Sequence, residues 1–334
     1  MRKLALSDKI LLKVDKAARY IGGEVNSVMK DKNEIDIRFA MCFPDVYEIG
    51  MSNLGMMILY NMFNQREDVW CERLFSPWPD LDKVMREQNI PLFALESQEP
   101  IRDFDFLGIT LGYEMCYTNI LQVLDLSGIP LKSADRGEDF PIVIGGGACA
   151  YNPEPLAPFF DLFYIGEGET VYDALFDAYK ANKKAGGSRR DFLLAAAKIP
   201  GIYVPSLYEV TYKEDGTIAS FAPTEAGVPE KVQKQLIIDM EKEYRAVEAP
   251  VVPHIKATQD RVTLEIQRGC IRGCRFCQAG MIYRPTREHD VETLKESARI
   301  MLKNTGHEEI SLSSLSSSDY SQLKELVNFL IEEF

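Results

Sequence analysis

The chain has 334 residues, and 38 lysine and arginine side chains against 51 aspartate and glutamate side chains give a formal net charge of −13 at pH 7. Apolar residues make up 46% and charged residues 27%, which excludes extended disorder, and the length predicts about two domains. The acidic excess argues against bulk binding to nucleic acid, and no uncharged apolar run reaches the roughly 18 residues of a membrane span.

Apolar runs alternate with helical patterns from the N-terminus to about residue 180. The segment 1–20 predicts an amphipathic helix and not a signal peptide, so we expect a cytoplasmic protein. Strands are predicted at 35–43, 69–75, 91–97, 105–113, 141–147 and 161–168. Helices are predicted at 52–64, with Ser52 as N-cap, and at 80–89, 118–129 and 169–180. This alternation predicts a doubly wound α/β domain with a mostly parallel sheet over residues 1–182.

Glycine and polar residues follow several of these strands. In a parallel sheet, ligands bind at the carboxyl ends of the strands, which brings four segments to one rim: 43–55, 111–119, 145–155 and 166–169. Gly145, Gly146 and Gly147 directly follow a strand, so the backbone there can approach a ligand, although a tight turn explains them equally well. These segments together predict a binding cleft.

Residues 183–260 differ in composition from the preceding segments and predict a connecting region. A polar loop at 183–190 precedes a hairpin over 201–223 that turns at 214–216, and a segment rich in charge and proline completes it over 228–260.

Seven cysteines without a secretory signal do not predict a disulfide scaffold. Cys42, Cys71, Cys116 and Cys149 lie in or beside apolar runs and are expected to be buried. Cys270, Cys274 and Cys277 instead share one loop after a strand predicted at 262–267. Three thiolates in an intracellular protein select zinc or an iron–sulfur cluster, and three ligands on a four-iron cluster leave one iron open to a small molecule.

The C-x-x-x-C-x-x-C spacing, with Phe276 before the third cysteine, resembles the radical S-adenosylmethionine (radical SAM) enzymes. The segments 43–55, 114–119, 145–161 and 165–169 resemble the branch of that family with a cobalamin-binding-like domain in front. The resemblance implies an N-terminal cobalamin-binding-like domain followed by the start of a radical SAM partial (β/α) barrel over 261–334. It also implies a 4Fe–4S cluster on Cys270, Cys274 and Cys277.

The resemblance further implies that S-adenosylmethionine chelates the open iron and is cleaved reductively to methionine and a 5′-deoxyadenosyl radical. Phe276, Gly280, Ser313 and Ser316 are the residues expected to contact the cofactors in the second domain. An electron donor such as flavodoxin or ferredoxin is the expected partner, and the substrate is unknown.

Two local features qualify this assignment. Six arginines and one acid between 261 and 287 are expected to offset an anionic cluster, with a solvated basic loop or a nucleic-acid contact as the alternative. The Gly-Gly-Glu turn usual in the family is missing after the second barrel strand, predicted at 308–315. The serines beyond it, with Asp319 as the nearest acid, are the candidates, although Ser318 or Asp319 would also cap the next helix.

The usual cobalamin motif, D-x-H-x-x-G, is altered here. The chain has Asp45 and Gly50, with Tyr47 where the histidine would stand, and a phenol with a pKa near 10 is a poor cobalt ligand. Two alternatives stay open: cobalamin binds without that ligand, or the domain has kept the fold without the cofactor.

Only 57 residues follow Cys277, which corresponds to about two βα units of a barrel that needs about six. We therefore expect a missing C-terminal region or a partner chain to complete the barrel. Two alternative functions remain: a non-catalytic metal- or cluster-binding sensor or adaptor, and an RNA-modifying enzyme similar to the methylthiotransferases.

Overall fold

The computed structural model describes residues 3–243 and 247–334. The helices are α1 (Asp8–Leu11), α2 (Tyr47–Gly50), α3 (Leu54–Gln65), α4 (Pro79–Gln88), α5 (Tyr117–Leu126), α6 (Tyr172–Lys184), α7 (Arg189–Ala196), α8 (Met240–Glu243), α9 (Ala279–Ile282), α10 (Val291–Thr305) and α11 (Leu323–Glu333). The strands are β1 (Ile37–Phe43), β2 (Val69–Phe75), β3 (Phe106–Thr110), β4 (Ile142–Gly146), β5 (Leu162–Tyr164), β6 (Ile202–Tyr203), β7 (Tyr208–Tyr212), β8 (Ile218–Pro223), β9 (Val262–Glu265), β10 (Gln267–Arg268), β11 (Arg287–Glu288) and β12 (Ile310–Ser313).

A six-stranded sheet with the order β2-β1-β3-β4-β5-β6 forms the first unit. Strands β1 to β5 pair in parallel, and only β6 runs antiparallel, beside β5. This confirms the mostly parallel α/β fold. Strand β1 lies between β2 and β3, so the strand order reverses direction at β1. At such a reversal a crevice opens at the carboxyl ends of the two adjacent strands, here β1 and β3.

Apolar side chains cover both faces of this sheet. One face packs an aromatic cluster around Phe39, which contacts Phe63, Phe106 and Phe176. The other face packs against α4 and α5 through residues such as Ile120 and Leu124. All seven residues of β2 are buried, as expected for a strand covered on both sides.

The second unit is a parallel pair, β9 and β12, packed against α10 and α11. Helix α10 begins after Asp290, whose side chain accepts the N–H of Glu292, and ends at Gly306 with φ of 72°. Strands alternate the faces of successive residues, so one face of the pair is apolar and packs on the helices. The other face carries Thr263, Glu265, Ser311 and Ser313.

Several local predictions are corrected by the structure. The segment 91–97 is not a strand: the chain turns at residues 95–97, where Gln98 N–H bonds back to Ala94 O and Ala94 N–H to Glu99 O. The N-terminal helix is only α1, and the N-cap of α3 is Asn53, whose side chain accepts Met56 N–H, in place of Ser52.

The first unit extends beyond the boundary predicted at residue 182. Helix α6 ends at Lys184, and β6 completes the sheet through Phe163↔Tyr203 pairing with β5. The predicted hairpin is present as β7 and β8. Within the described ranges, no helix has the length and apolar character needed to cross a bilayer.

Candidate active site: the cysteine loop and the interdomain cleft

The three clustered cysteines lie on a loop that is closed at its base by β10 and β11 (the cysteine loop, residues 269–286). All three are free thiols; Cys274 is exposed, and Cys270 and Cys277 are half-buried. The backbone N–H of Arg272 donates to Cys270 Sγ and that of Gly280 to Cys277 Sγ, both at 3.4 Å. Such amide donors stabilise negative charge on sulfur, which favours thiolate ligands.

Three free thiols on one loop are donors that suit either zinc or an iron–sulfur cluster. Across residues 3–243 and 247–334, no three His, Cys, Asp or Glu side chains converge to hold one metal ion. A cubane bonds each thiolate to a different iron, so its ligands are spread more widely than those of tetrahedral zinc. The three thiols are free and lie on one loop, as the ligands of either kind of centre must.

A cleft of about 760 Å³ lies between the two units and begins at the base of the cysteine loop. Thr110, Gly146 and Gly147, at the carboxyl ends of β3 and β4, line its first wall. The polar face of β9 and β12 lines the second wall, with Arg268, Gly269 and Tyr283 at the loop. The cleft therefore lies at the sheet edge where the strand order predicts a ligand crevice.

Not every glycine of the predicted rim faces this cleft. A Cβ on Gly146 would meet no atom within 4 Å, which leaves its backbone open to the cleft. Gly147 also lines the cleft. Its φ is +112°, and a Cβ there would lie 2.9 Å from Leu111 O, so the backbone requires glycine at this position. Gly145 packs against Phe163 and Leu111, so it is a packing residue.

Five charged side chains form a buried network at the cleft wall: Glu167, Glu169, Glu265, Arg268 and Arg287. Arg287 Nη2 donates to Glu167 Oε1 at 2.7 Å and Arg287 Nη1 to Glu167 Oε2 at 2.8 Å. Arg268 Nη2 donates to Glu169 Oε1 at 2.6 Å and to Glu265 Oε2 at 2.9 Å.

Burial and charge act in opposite directions in this network. Burial opposes ionisation of Glu167, but the hydrogen bond from Arg287 and the charge of Arg268 outweigh it and hold the pKa of Glu167 below its usual range. Burial likewise opposes the charge on Arg268, yet Glu265 and Glu169 raise its pKa. Glu167 and Arg268 are therefore both ionised near neutral pH.

The arginines predicted to surround the loop with positive charge are mostly neutralised. Arg268 and Arg287 pair with the acids just described, Arg272 pairs with Asp319, and Arg261 lies 3.8 Å from Glu309. Arg275 and Arg284 are exposed on the cysteine loop. The local positive field is thus smaller than the sequence count indicates.

The remaining predicted residues have varied positions. In the second unit, Ser313 lines the cleft, and Ser316 lies outside its lining and donates to Asp319 Oδ2 at 2.7 Å. Neither Ser318 nor Asp319 caps α11, whose N-cap is Gln322, and the Asp319 carboxylate pairs with Arg272. Phe276 is 92% exposed, and Gly280 is buried in α9 beside Cys277.

The two candidate residues after β1 lie away from the cleft. Tyr47 is 1% exposed, and its hydroxyl donates to Glu24 Oε1 at 3.0 Å, so it is a buried structural residue. Burial raises the pKa of Tyr47, which disfavours a phenolate at this position. Asp45 accepts the Tyr113 hydroxyl at 2.5 Å and does not line the cleft.

Thr263, Glu265 and Ser311 were missed as site residues, and Glu167 and Glu169 were predicted only as part of the rim segment 166–169. Two signals point to them: a pair of acids in a glycine-rich turn after a buried strand, and the period-2 alternation of β9 and β12. Neither signal indicates that the two units line opposite walls of one cleft.

Two family models match the chain. The model described as "Radical SAM proteins, N-terminal" matches residues 55–205, and the model described as "Radical SAM superfamily" matches residues 264–333. The chain belongs to the radical SAM superfamily. The second match contains the cysteine loop, α10 and the polar strand face except Thr263, and the first contains most of the parallel sheet.

Relatives of this radical SAM protein are longer. An uncharacterized protein of Methanocaldococcus jannaschii is 27% identical over 292 residues, which are 87% of this chain and 52% of that protein. The solved radical SAM methyltransferase TsrM from Kitasatospora setae, with tryptophan substrate and a SAM analogue bound, has a TM-score of 0.45 and 14% identity over 88% of this chain and 50% of its own. The structure of the same protein with cobalamin and a 4Fe–4S cluster bound has a TM-score of 0.46 and 13% sequence identity. That match covers 90% of this chain and 51% of the other. The chain thus spans about half the length of these relatives.

Proposed function

We propose that the chain is the cluster-binding portion of a radical SAM enzyme, with Cys270, Cys274 and Cys277 as ligands of a 4Fe–4S cluster and S-adenosylmethionine as cosubstrate. The observation that carries this proposal is the position of three free thiols on one loop whose first residue, Gly269, lines a large cleft. When bound, the cluster supplies the electron that cleaves the sulfonium of S-adenosylmethionine and starts radical chemistry on the substrate.

The chain's own residues would bind and shield the reactants. The amide donors of Arg272 and Gly280 lower the cost of thiolate charge at Cys270 and Cys277. Thr263, Ser311 and Ser313 offer hydroxyls to the polar groups of the cosubstrate, and the apolar wall near Phe39 and Met41 excludes water. We propose an electron donor such as flavodoxin or ferredoxin and a cytoplasmic location. The remaining barrel strands would come from further chain or a partner.

Cobalamin has no side-chain ligand at the position that the resemblance would use, because Tyr47 is buried and bonded to Glu24. If this protein binds cobalamin, the backbone around Gly146 and Gly147 is the candidate contact, without a protein ligand to cobalt. A cobalamin titration of the purified protein, followed by the visible spectrum, separates this case from a domain that kept only the fold.

Anaerobic reconstitution with iron and sulfide tests the proposal. The wild type should bind about four irons per chain and cleave S-adenosylmethionine once reduced. Cys274→Ala should lose both properties, whereas Cys116→Ala, a buried thiol outside the loop, should keep them. One zinc per chain without cleavage of S-adenosylmethionine would favour a sensor or adaptor instead.

A further inference from the structure

Two arginines face each other at the base of the cysteine loop. In the antiparallel pair β10 and β11, Arg268 lies directly opposite Arg287, and Gln267 opposite Glu288. Like charges in directly opposed positions destabilise a strand pair, and a pair this short has little other stabilisation. Both guanidinium side chains are also largely buried, with 9% and 6% exposure, which strengthens their repulsion.

The acid that lies between these two cations comes from the first unit. Glu167, in the turn after β5, receives both Nη atoms of Arg287 at 2.7 and 2.8 Å, and Arg268 Nη1 lies 3.4 Å from its Oε2. Within the described ranges, Glu169 and Glu265 also pair with Arg268 and form no ion pair with Arg287. In the described structure, Glu167 is thus the carboxylate shared by the two facing guanidiniums.

The connecting region holds Glu167 in this position. The N–H of Ile237 donates to Glu167 Oε2 at 2.8 Å, and Arg287 Nη1 donates to the carbonyl of the same Ile237. Gly166 has φ of +138°, and a Cβ there would lie 2.2 Å from Gln235 O, so only glycine allows this approach. Three separate parts of the chain therefore meet at one carboxylate.

We propose that Glu167 is a positioning residue for the cysteine loop: its charge neutralises Arg268 and Arg287 and so closes the β10–β11 base before any metal binds. The loop's identity as a cluster site rests on the proposed function, but the closure is a property of the metal-free protein. The first unit thereby controls the closure of the loop that carries the three thiols.

Amide hydrogen exchange of the metal-free full chain tests this assignment. In Glu167→Gln, which keeps the side-chain shape, exchange over residues 266–290 should rise about tenfold or more while β3 stays protected. Glu167→Asp should partly restore protection. Glu48→Gln is the matched control, because Glu48 is a mostly buried acid paired with Arg19 in the first unit, and it should leave residues 266–290 unchanged.

Substitution of the cation in place of the acid distinguishes charge neutralisation by Glu167 from the simple loss of one ion pair. Arg287→Gln removes one of the two facing cations, and Glu167 keeps Arg268 and the Ile237 N–H as partners. Protection over 266–290 should therefore fall less in Arg287→Gln than in Glu167→Gln, and Glu167→Gln combined with Arg287→Gln should recover protection relative to Glu167→Gln alone.

Each outcome has a defined meaning. Unchanged exchange in Glu167→Gln, or equal loss in Glu167→Gln and Arg287→Gln, overturns the proposal. If Glu167→Gln unfolds the whole chain, recovery in the double variant still supports it, and lack of recovery overturns it. Reconstituted Glu167→Gln should also bind less iron than the wild type, whereas a wild type that binds no iron would sink the proposed function and leave the exchange result standing.

Discussion

Arg272 joins two loops of the second unit through Asp319. Its backbone N–H donates to Cys270 Sγ at 3.4 Å, and its Nε donates to Asp319 Oδ2 at 2.8 Å, so one residue contacts both a candidate cluster ligand and the turn after β12. The hydrogen bonds from Arg272 and Ser316 hold the pKa of Asp319 below its usual range. The pair is therefore intact at neutral pH and is lost only as the pH falls through that lowered pKa.

Removing this contact should loosen the cysteine loop with little effect on the rest of the fold. In Asp319→Asn, trypsin should cut after Arg272 and Arg275 faster than in the wild type, because both are exposed and Arg272 loses its charged partner. Mass spectrometry of the fragments measures the rate. Asp215→Asn, in the turn between β7 and β8, is the control, and equal cutting in the two variants would contradict the prediction.

The seven thiols should differ in reactivity. Maleimide should label Cys274 first and then Cys270 and Cys277, because the loop thiols are exposed or half-buried. Cys42 and Cys71 should react only after unfolding, since burial raises the pKa of both thiols. Peptide mapping by mass spectrometry checks the order. Slow labelling of all three loop thiols in the metal-free protein would argue against an accessible ligand set.

Neighbouring glycines at the cleft should tolerate alanine differently. Gly147→Ala should lower the free energy of unfolding by about 1–3 kcal/mol, because its φ of +112° disfavours a side chain and the Cβ would press on Leu111 O. Gly146→Ala should cost less than about 1 kcal/mol, since its Cβ would point into open space. Urea unfolding measures both values, and equal losses would contradict the assignment.

His289 should make stability depend on pH. Its side chain is 2% exposed, and burial lowers its pKa below 6.5 even though Glu241 lies 3.2 Å from Nδ1. The unfolded chain then binds the proton more readily, so stability should fall as the pH drops below about 6.5. In His289→Gln, urea unfolding between about pH 7 and pH 5 should show a smaller decrease. A decrease in His289→Gln as large as that of the wild type would contradict the prediction.

Much of the first unit could be predicted from the sequence because its signals are local. The apolar runs at β1, β2, β3 and β4 and the amphipathic α5 and α6 carry their periodicity in the chain itself. The segment 91–97 was mistaken for a strand because an apolar run looks alike in a strand and in a buried turn, and its hydrogen bonds form only after the chain doubles back. The spacing of Cys270, Cys274 and Cys277 was equally local, which is why the family could be recognised from it.

Long-range contacts decided the rest of the site. Nothing near Tyr47 in the sequence indicates that its hydroxyl donates to Glu24. Likewise, nothing near Arg287 indicates that its guanidinium donates to Glu167, 120 residues earlier. The sequence alone determined the alternating α/β pattern, the cysteine spacing and the superfamily, because spacing and periodicity are read along the chain. Only the tertiary structure decided which glycines, serines and charges share the cleft, because charge pairing and burial depend on where distant segments meet.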